Sequence, residues 1–371
     1  MKYQNIKYIG AEATVALFET GRKEAHAYIL PSDTEAGAEA QIKAIAEAAD
    51  RLAADTGLTP VFKRYLLSDP SNQMRLLPEE DACARSVVGQ TPLDGRKGAL
   101  LMILEEGADY RRREDGIWQD SNGRIWVGDI DSVPSCDSLS MTTEYLEKLA
   151  RILDGCGASL KDHCLRTWFF VRDIDNNYSG VVRGRNEVFS REGLTAETHF
   201  IASTGIEGQC AEPARLVAFN AFADTKADDS QIRYLYGSTH LNPTYEYGVA
   251  FERATAVDYA DRRHVYISGT ASIDNKGDIV APGDIKAQTL RMLENIEVLL
   301  DEGGCGWEDV AHMTVYLRDI ADHRTVGRMM DERFPGLPKT IVLAPVCRPG
   351  WLIETECMAV RKADNPEYAP Y

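Results

Sequence analysis

One order of elements recurs along these 371 residues, twice clearly and once faintly, and this repetition restricts the fold more than any other feature. Repeats are sought first because missing one misreads the whole architecture. Near the C-terminus, Gln288–Leu300 carries Leu290, Leu293, Ile296 and Leu300 at helical spacing, which predicts an amphipathic helix. Gly303, Gly304 and Gly306 stop it. Trp307-Glu308-Asp309-Val310 follows, then a β-rich run, Met313–Leu317, ending in Arg318-Asp319-Ile320. The middle of the chain does the same. Tyr145–Leu153 places Leu146, Leu149, Ile152 and Leu153 on a helix that stops at Gly155-Cys156-Gly157, the same tripeptide as Gly304-Cys305-Gly306. A predicted strand, Thr167–Val171, ends in Arg172-Asp173-Ile174. After each Asp-Ile come a polar helix (Tyr178–Phe189; Thr325–Phe334), a Gly-Leu turn and a strand (His199–Ser203; Thr340–Leu343). A fainter copy opens the chain: helix Ala38–Ala53, stop Gly57, strand Val61–Leu67 ending in Ser68-Asp69, and strands Arg85–Val88 and Ala99–Leu104. For that copy a plainer alternative stays open, since any α+β protein strings helices, glycines and strands together. The chain is longer than one core usually spans, and three units suit ordinary domain sizes. The expected division is 1–108, 109–230 and 231–371.

Composition removes several function classes. No apolar run approaches the roughly 20 residues of a membrane span, and no apolar stretch follows the N-terminal lysines, so neither a membrane partner nor a secretory signal is expected. Eight cysteines stand at 83, 136, 156, 164, 210, 305, 347 and 357 without a C-x-x-C pair, and no histidine lies at zinc-ligand spacing. No metal and no cofactor are therefore expected, the histidines read as structural, and the scattered thiols suit a reducing cytoplasmic location. A net charge of −17 argues against nucleic acid as a partner. A small anionic metabolite would need a local cluster of arginines.

Residues 264–360 resemble the Rid/YjgF (RidA-like) superfamily, which also carries endoribonuclease L-PSP labels. The matching residues are His264–Ile273 (HVYISGTASI), the Gly283-Asp284 turn, Gln288 and Asn295 on the helix, Val315–His323 (VYLRDIADH), Phe334, Pro338 and Ile353–Val360 (IETECMAV). The resemblance implies an α+β, chorismate-mutase-like fold in which a sheet packs on two helices and subunits form trimers with clefts between them. Three tandem units would make a covalent pseudo-trimer, monomeric or further assembled into a homo-oligomer, with one cleft free to stay active while the others become structural. The family's usual chemistry is hydrolysis of enamines and imines to keto acids, with an Arg two residues after a Pro clamping the substrate carboxylate. Here that position is Thr340, after Pro338, and a second family position, an Asn, is Gly327. Ala84-Arg85-Ser86 in the first copy resembles the missing arginine motif and would put a clamp in a different cleft, although that copy lacks the acidic residue on its last strand.

A closer resemblance is to the chorismatase branch, through Asn242-Pro243, Tyr245-x-Tyr247-Gly248, Phe251-x-Arg253-Ala254, Ser268–Ile273, Pro282-Gly283-Asp284, and Cys347-Arg348 followed by Glu354. Arg185-Asn186 and Ser203–Ile206 also match. The segment between Asn242 and Phe251 is short for that branch, which points to a related but different substrate. The resemblance implies cleavage of the enolpyruvyl ether of chorismate, or of a related carboxylate-bearing ring, with release of pyruvate. An imine deaminase and a non-catalytic binding protein on a degenerate scaffold remain the alternatives.

Such a cleavage needs an acid to protonate the enol-ether methylene and cationic clamps for the carboxylates. Glu354 is the candidate acid, because an apolar strand would bury it and raise its pKa. Glu356 shares its face through strand alternation, and the plain alternative is that both point to solvent. Arg348 and Arg253 are the candidate clamps, set against surface arginines. Cys347 is a candidate nucleophile or proton donor, its pKa expected to be depressed beside Arg348, set against simple packing. Gly269, Thr270 and Ala271 are expected to form a turn whose N–H groups bind a carboxylate, set against a tight hairpin. Tyr247 would donate a hydrogen bond, or pack.

Overall fold

The computed structural model describes residues 1–114, 116–130 and 137–371; Cys136 lies outside them. The repeat read in the sequence becomes three mixed sheets with one recurring strand order. In the third sheet, Arg262–Ala271 pairs with the last strand, Ile353–Lys362, which pairs with Val310–Leu317, which pairs in parallel with Lys339–Leu343. The second sheet repeats this with Arg124–Val127, Val217–Asp224, Cys164–Val171 and Ala202–Glu207. The first does so with Glu24–Pro31, Gly98–Glu105, Thr59–Leu67 and Ala84–Gly89. Each parallel pair needs a crossover. The helix Ile174–Arg191 supplies it in the second unit and His323–Arg333 in the third. In the first it shrinks to Pro70–Gln73 and Met74–Leu76, which explains why that copy is faint in the sequence.

The predicted helices form, longer than their periodic cores: Ala38–Thr56, Ser138–Asp154 and Ile285–Glu302. Asp284 caps the last, its carboxylate accepting from the N–H groups of Lys286 and Ala287. Leu290 departs from expectation, being 56% exposed. The buried stripe of that helix runs through Met292, Leu293, Ile296, Leu299 and Leu300 instead, because Leu290 falls outside the arc that faces the sheet.

Helices cover the outer faces of the first two sheets in separate cores, while one cluster joins the inner faces of all three. An aromatic column marks the junction: Phe62 of the first sheet stacks on Trp126 of the second at 4.6 Å, Trp126 meets Phe222, and Phe222 meets Tyr266 of the third at 5.7 Å. The first unit also completes the third sheet, since Thr91 and Pro92 pair with Leu343 and Val342 at its edge. Among the described residues no helix is long and apolar enough to cross a membrane.

A polar seam joins the first and third units. Glu24 bonds His26 Nε2 at 2.8 Å, His264 Nε2 at 2.9 Å and Arg262 Nη1 at 2.9 Å, and His26 Nδ1 meets His312 Nδ1 at 2.8 Å. The contacts between the two units span 238 to 286 residues, so spacing rules could not link them. Burial holds the His264 and His312 imidazoles below their ordinary pKa, with His26 adding to the effect at His312. The unfolded chain takes up these protons first. These two imidazoles therefore contribute stability that is full above about pH 6.5 and lost below it, by up to about 1.4 kcal/mol per pH unit for each. Calorimetric melts between pH 8 and 5.5, compared with those of His312→Asn, check this, and equal pH slopes in the two proteins would contradict it.

Candidate functional site

Strand alternation sends Glu354 and Glu356 to one face of Ile353–Lys362, and neither reaches solvent: they are 5% and 3% exposed. Their surroundings differ. Glu354 enters a cavity between the second and third units, whereas Glu356 is buried against Arg166 and Trp168. The third unit contributes Tyr247, Phe251, Arg253, Cys347, Arg348 and Trp351 to the cavity wall, and the second contributes Tyr178, Arg185, Ser203 and Gly205. The cavity has about 40 Å³ open to water, room for only a few molecules.

Burial, reinforced by the charge of Glu356 and opposed by Arg166 and Arg253, raises the Glu354 pKa to about 8. The group carries its proton at neutral pH. A Cβ on Gly269 would lie 2.1 Å from Glu354 Oε1, so only glycine lets the carboxyl seat there.

Arg348 stacks over the rings of Tyr247 and Trp351, at 4.4 and 4.8 Å. Arg253, 4% exposed, donates from Nη2 to the backbone oxygen and side-chain Oδ1 of Asn242, so part of this candidate clamp holds the loop that follows Leu241. Tyr247 closes a single 3₁₀ turn, Thr244–Tyr247, capped by Gly248 at φ 83°.

Three expectations need correction. The thiol of Cys347 is not acidified: the enclosing wall, with the charge of Glu354, pushes it up to about 12, outweighing Arg348. It is a neutral S–H at the cavity wall. Residues 269–271 form no turn but continue the strand Arg262–Ala271 past a bulge between Ile267 and Thr270. The Gly269 N–H already donates to Thr204 Oγ1 at 2.9 Å and is not free for a carboxylate. Gly269 and Ala271 line the cavity, but alternation turns Thr270 away, where its hydroxyl donates to Ser268 O.

Arg185 did not figure among the predicted site residues. It is 1% exposed, lines the cavity, and among the described residues its Nε and Nη2 find no hydrogen-bond partner. A buried, unsatisfied guanidinium is costly unless an anion completes it. Its sequence signal was its register: it lies four residues after Val181 and three before Val188, on the buried face of its helix.

Arg85 lies elsewhere, in a wider cleft of about 450 Å³ between the first and second units. There Nη1 donates to Pro78 O at 2.8 Å and lies 3.6 Å from Asp81, so this arginine is already engaged. Among the described residues no group of three or more His, Cys, Asp or Glu is placed to hold a metal.

The family described as Endoribonuclease L-PSP matches residues 251–361. A RutC family protein of Pyrococcus abyssi is 34% identical over 100 residues, 26% of this chain and 79% of that protein. The 3-aminoacrylate deaminase RutC of Acinetobacter baylyi is 38% identical over 71 residues, 19% of this chain and 56% of its own length. A chorismatase crystal structure superposes with a TM-score of 0.66 at 20% identity, covering 81% of this chain and 93% of that one, a likeness of fold across all three units. The shared strand order and the RutC alignment agree: this chain belongs to the Rid/YjgF (RutC) family.

Proposed function

We propose that this protein cleaves the enolpyruvyl ether of chorismate, or of a related carboxylate-bearing ring, and releases pyruvate. The observation that carries this reading is a proton-bearing carboxyl, Glu354, enclosed with three arginines, Arg185, Arg253 and Arg348. Glu354 gives its proton to the enol-ether methylene, making an oxocarbenium ion. Water adds to the ether-bearing oxocarbenium carbon, the hemiketal collapses to pyruvate and the ring alcohol, and the proton set free returns to Glu354. Arg348 and Arg185 hold the two carboxylates, and the low-dielectric wall strengthens both contacts. The cavity is smaller than such a ring, so the reading includes an opening step. The Thr244–Tyr247 turn is suited to it: Tyr245 is 50% exposed, and nothing lies within 4 Å of a Cβ built on Gly248.

The test is incubation of the purified protein with chorismate and assay of pyruvate. Pyruvate with a hydroxybenzoate or a dihydrodiol supports the proposal. The likeness to 3-aminoacrylate deaminase favours a second reading, an imine or enamine deaminase, for which ammonia and a keto acid would be the products. Saturable binding without turnover would leave a binding protein. On the true substrate, Arg348→Ala is expected to weaken affinity by about 1.5–3 kcal/mol through loss of a charge-assisted hydrogen bond. Unchanged kinetics would mean that Arg348, although in the cavity wall, does not hold the substrate.

A further inference from the structure

Glu356 is the partner of Glu354 on the strand, yet it never enters the cavity. Its carboxylate is bound on several sides by the second unit: Arg166 Nη2 at 2.7 Å, Trp168 Nε1 at 3.0 Å and the Thr204 hydroxyl at 2.5 Å. Arg64 of the first unit stands 3.5 Å away. Thr204 is spent in both directions, donating to Glu356 and accepting from Arg166 and from the Gly269 N–H. Gly269 is the residue over which the Glu354 carboxyl sits. A continuous path of short contacts thus runs from Arg166 through Glu356 and Thr204 to the floor beneath the acid.

We propose that Glu356 is a positioning residue for Glu354: anchored by Arg166, Trp168 and Thr204, it fixes the Gly269 bulge that seats the catalytic carboxyl. Resting on the acid role assigned to Glu354 above, the inference adds that the second unit governs an acid carried by the third. The same anchoring has an electrostatic consequence. The charge of Glu356 opposes ionisation of Glu354, while Arg166 and Arg253 favour it. Tyr316 also faces Glu356. The other groups around the acid, Cys347, Tyr178, Arg348, Arg185 and Tyr247, are unchanged in the variants below.

Glu356→Gln removes the negative charge and leaves the Arg166 cation uncompensated. The pKa of Glu354 should fall by about one unit or more, so the alkaline limb of kcat moves to lower pH and activity returns on acidification. Glu356→Asp retains the charge and should retain the limb. Thr204→Val frees the Gly269 N–H without touching either charge, so kcat should fall about tenfold or more through misplacement of the acid, with KM nearly unchanged. pH-difference infrared spectroscopy follows the Glu354 carboxyl directly, using Glu354→Gln to assign the band, and needs no turnover. That separates the two ideas. A wild type that releases no pyruvate ends the proposed reaction, whereas a Glu354 band unmoved in Glu356→Gln ends the positioning role. If Glu356→Gln does not fold, the role stands or falls on Thr204→Val, whose KM–kcat split a general loss of packing would not produce. Equal displacement of the limb in Glu356→Gln and Glu356→Asp would also overturn it.

Discussion

Glu354→Gln is expected to leave substrate affinity nearly intact and to lower turnover roughly 10²–10⁴-fold, the usual contribution of a general acid. Glutamine keeps the size and hydrogen bonding of the protonated acid but has no transferable proton. The size of the effect follows from the cavity. With room for only a few waters, solvent is poorly placed to replace the lost donor. In the wild type kcat should decline above about pH 8, as Glu354 loses its proton, and that limb should vanish from the residual activity of the mutant. Isothermal titration with the substrate, beside single-turnover rates, separates binding from chemistry. A mutant that turns over at the wild-type rate would remove Glu354 from the mechanism. The mutant alone does not distinguish ether cleavage from imine hydrolysis, since both use a carboxyl here; the product does.

Arg262→Met should destabilise the fold by about 3–5 kcal/mol, the cost of leaving a buried charge without its partner. Arg262 is fully buried and reaches Glu24 at 2.9 Å, Asp261 Oδ2 at 2.7 Å and the backbone oxygens of Thr20 and Arg22. Its guanidinium also lies against the Phe18 and Tyr371 rings, at 4.7 and 5.0 Å. Methionine fills much of the volume but leaves Glu24 without a guanidinium, bonded only to the His26 and His264 rings. Arg263, the next residue, pairs with Asp258 where both side chains are partly open to water, and Arg263→Met should cost far less. Denaturant unfolding of the two variants makes the comparison. A loss below about 1 kcal/mol for Arg262→Met would mean that Glu24 simply takes up a proton.

What could be read in the sequence was periodic or local. The helix–glycine–strand repeat predicted three α+β units, and the apolar run around Glu354 predicted a buried acid. Contacts made across units were not legible. Arg185 reaches the cavity from the second unit, and Glu24 meets His264 across 240 positions, so no spacing rule connects them. The misreadings at Thr270 and Gly269 share one cause. A bulge in an apolar strand and a turn both contain Ser-Gly-Thr, and only the partner strand distinguishes them. At Cys347 the sequence shows the neighbouring Arg348 but not the low-dielectric wall, and the wall decides the state of the thiol.

The seam between the first and third units also sets a schedule. Glu24 leaves the ribosome 238 residues before Arg262, its permanent counter-ion. At a synthesis rate of about 5–20 residues per second, that interval is roughly 12–48 s. Through it the first sheet must keep Phe62, Tyr28 and the edge strand Ala84–Gly89 out of wrong associations, with the chain that will cover them still unmade. A subunit of a true trimer can meet a finished neighbour at any time. Here the neighbour is always late by the same count of codons, which makes nascent-chain protection a fixed requirement of the fused architecture.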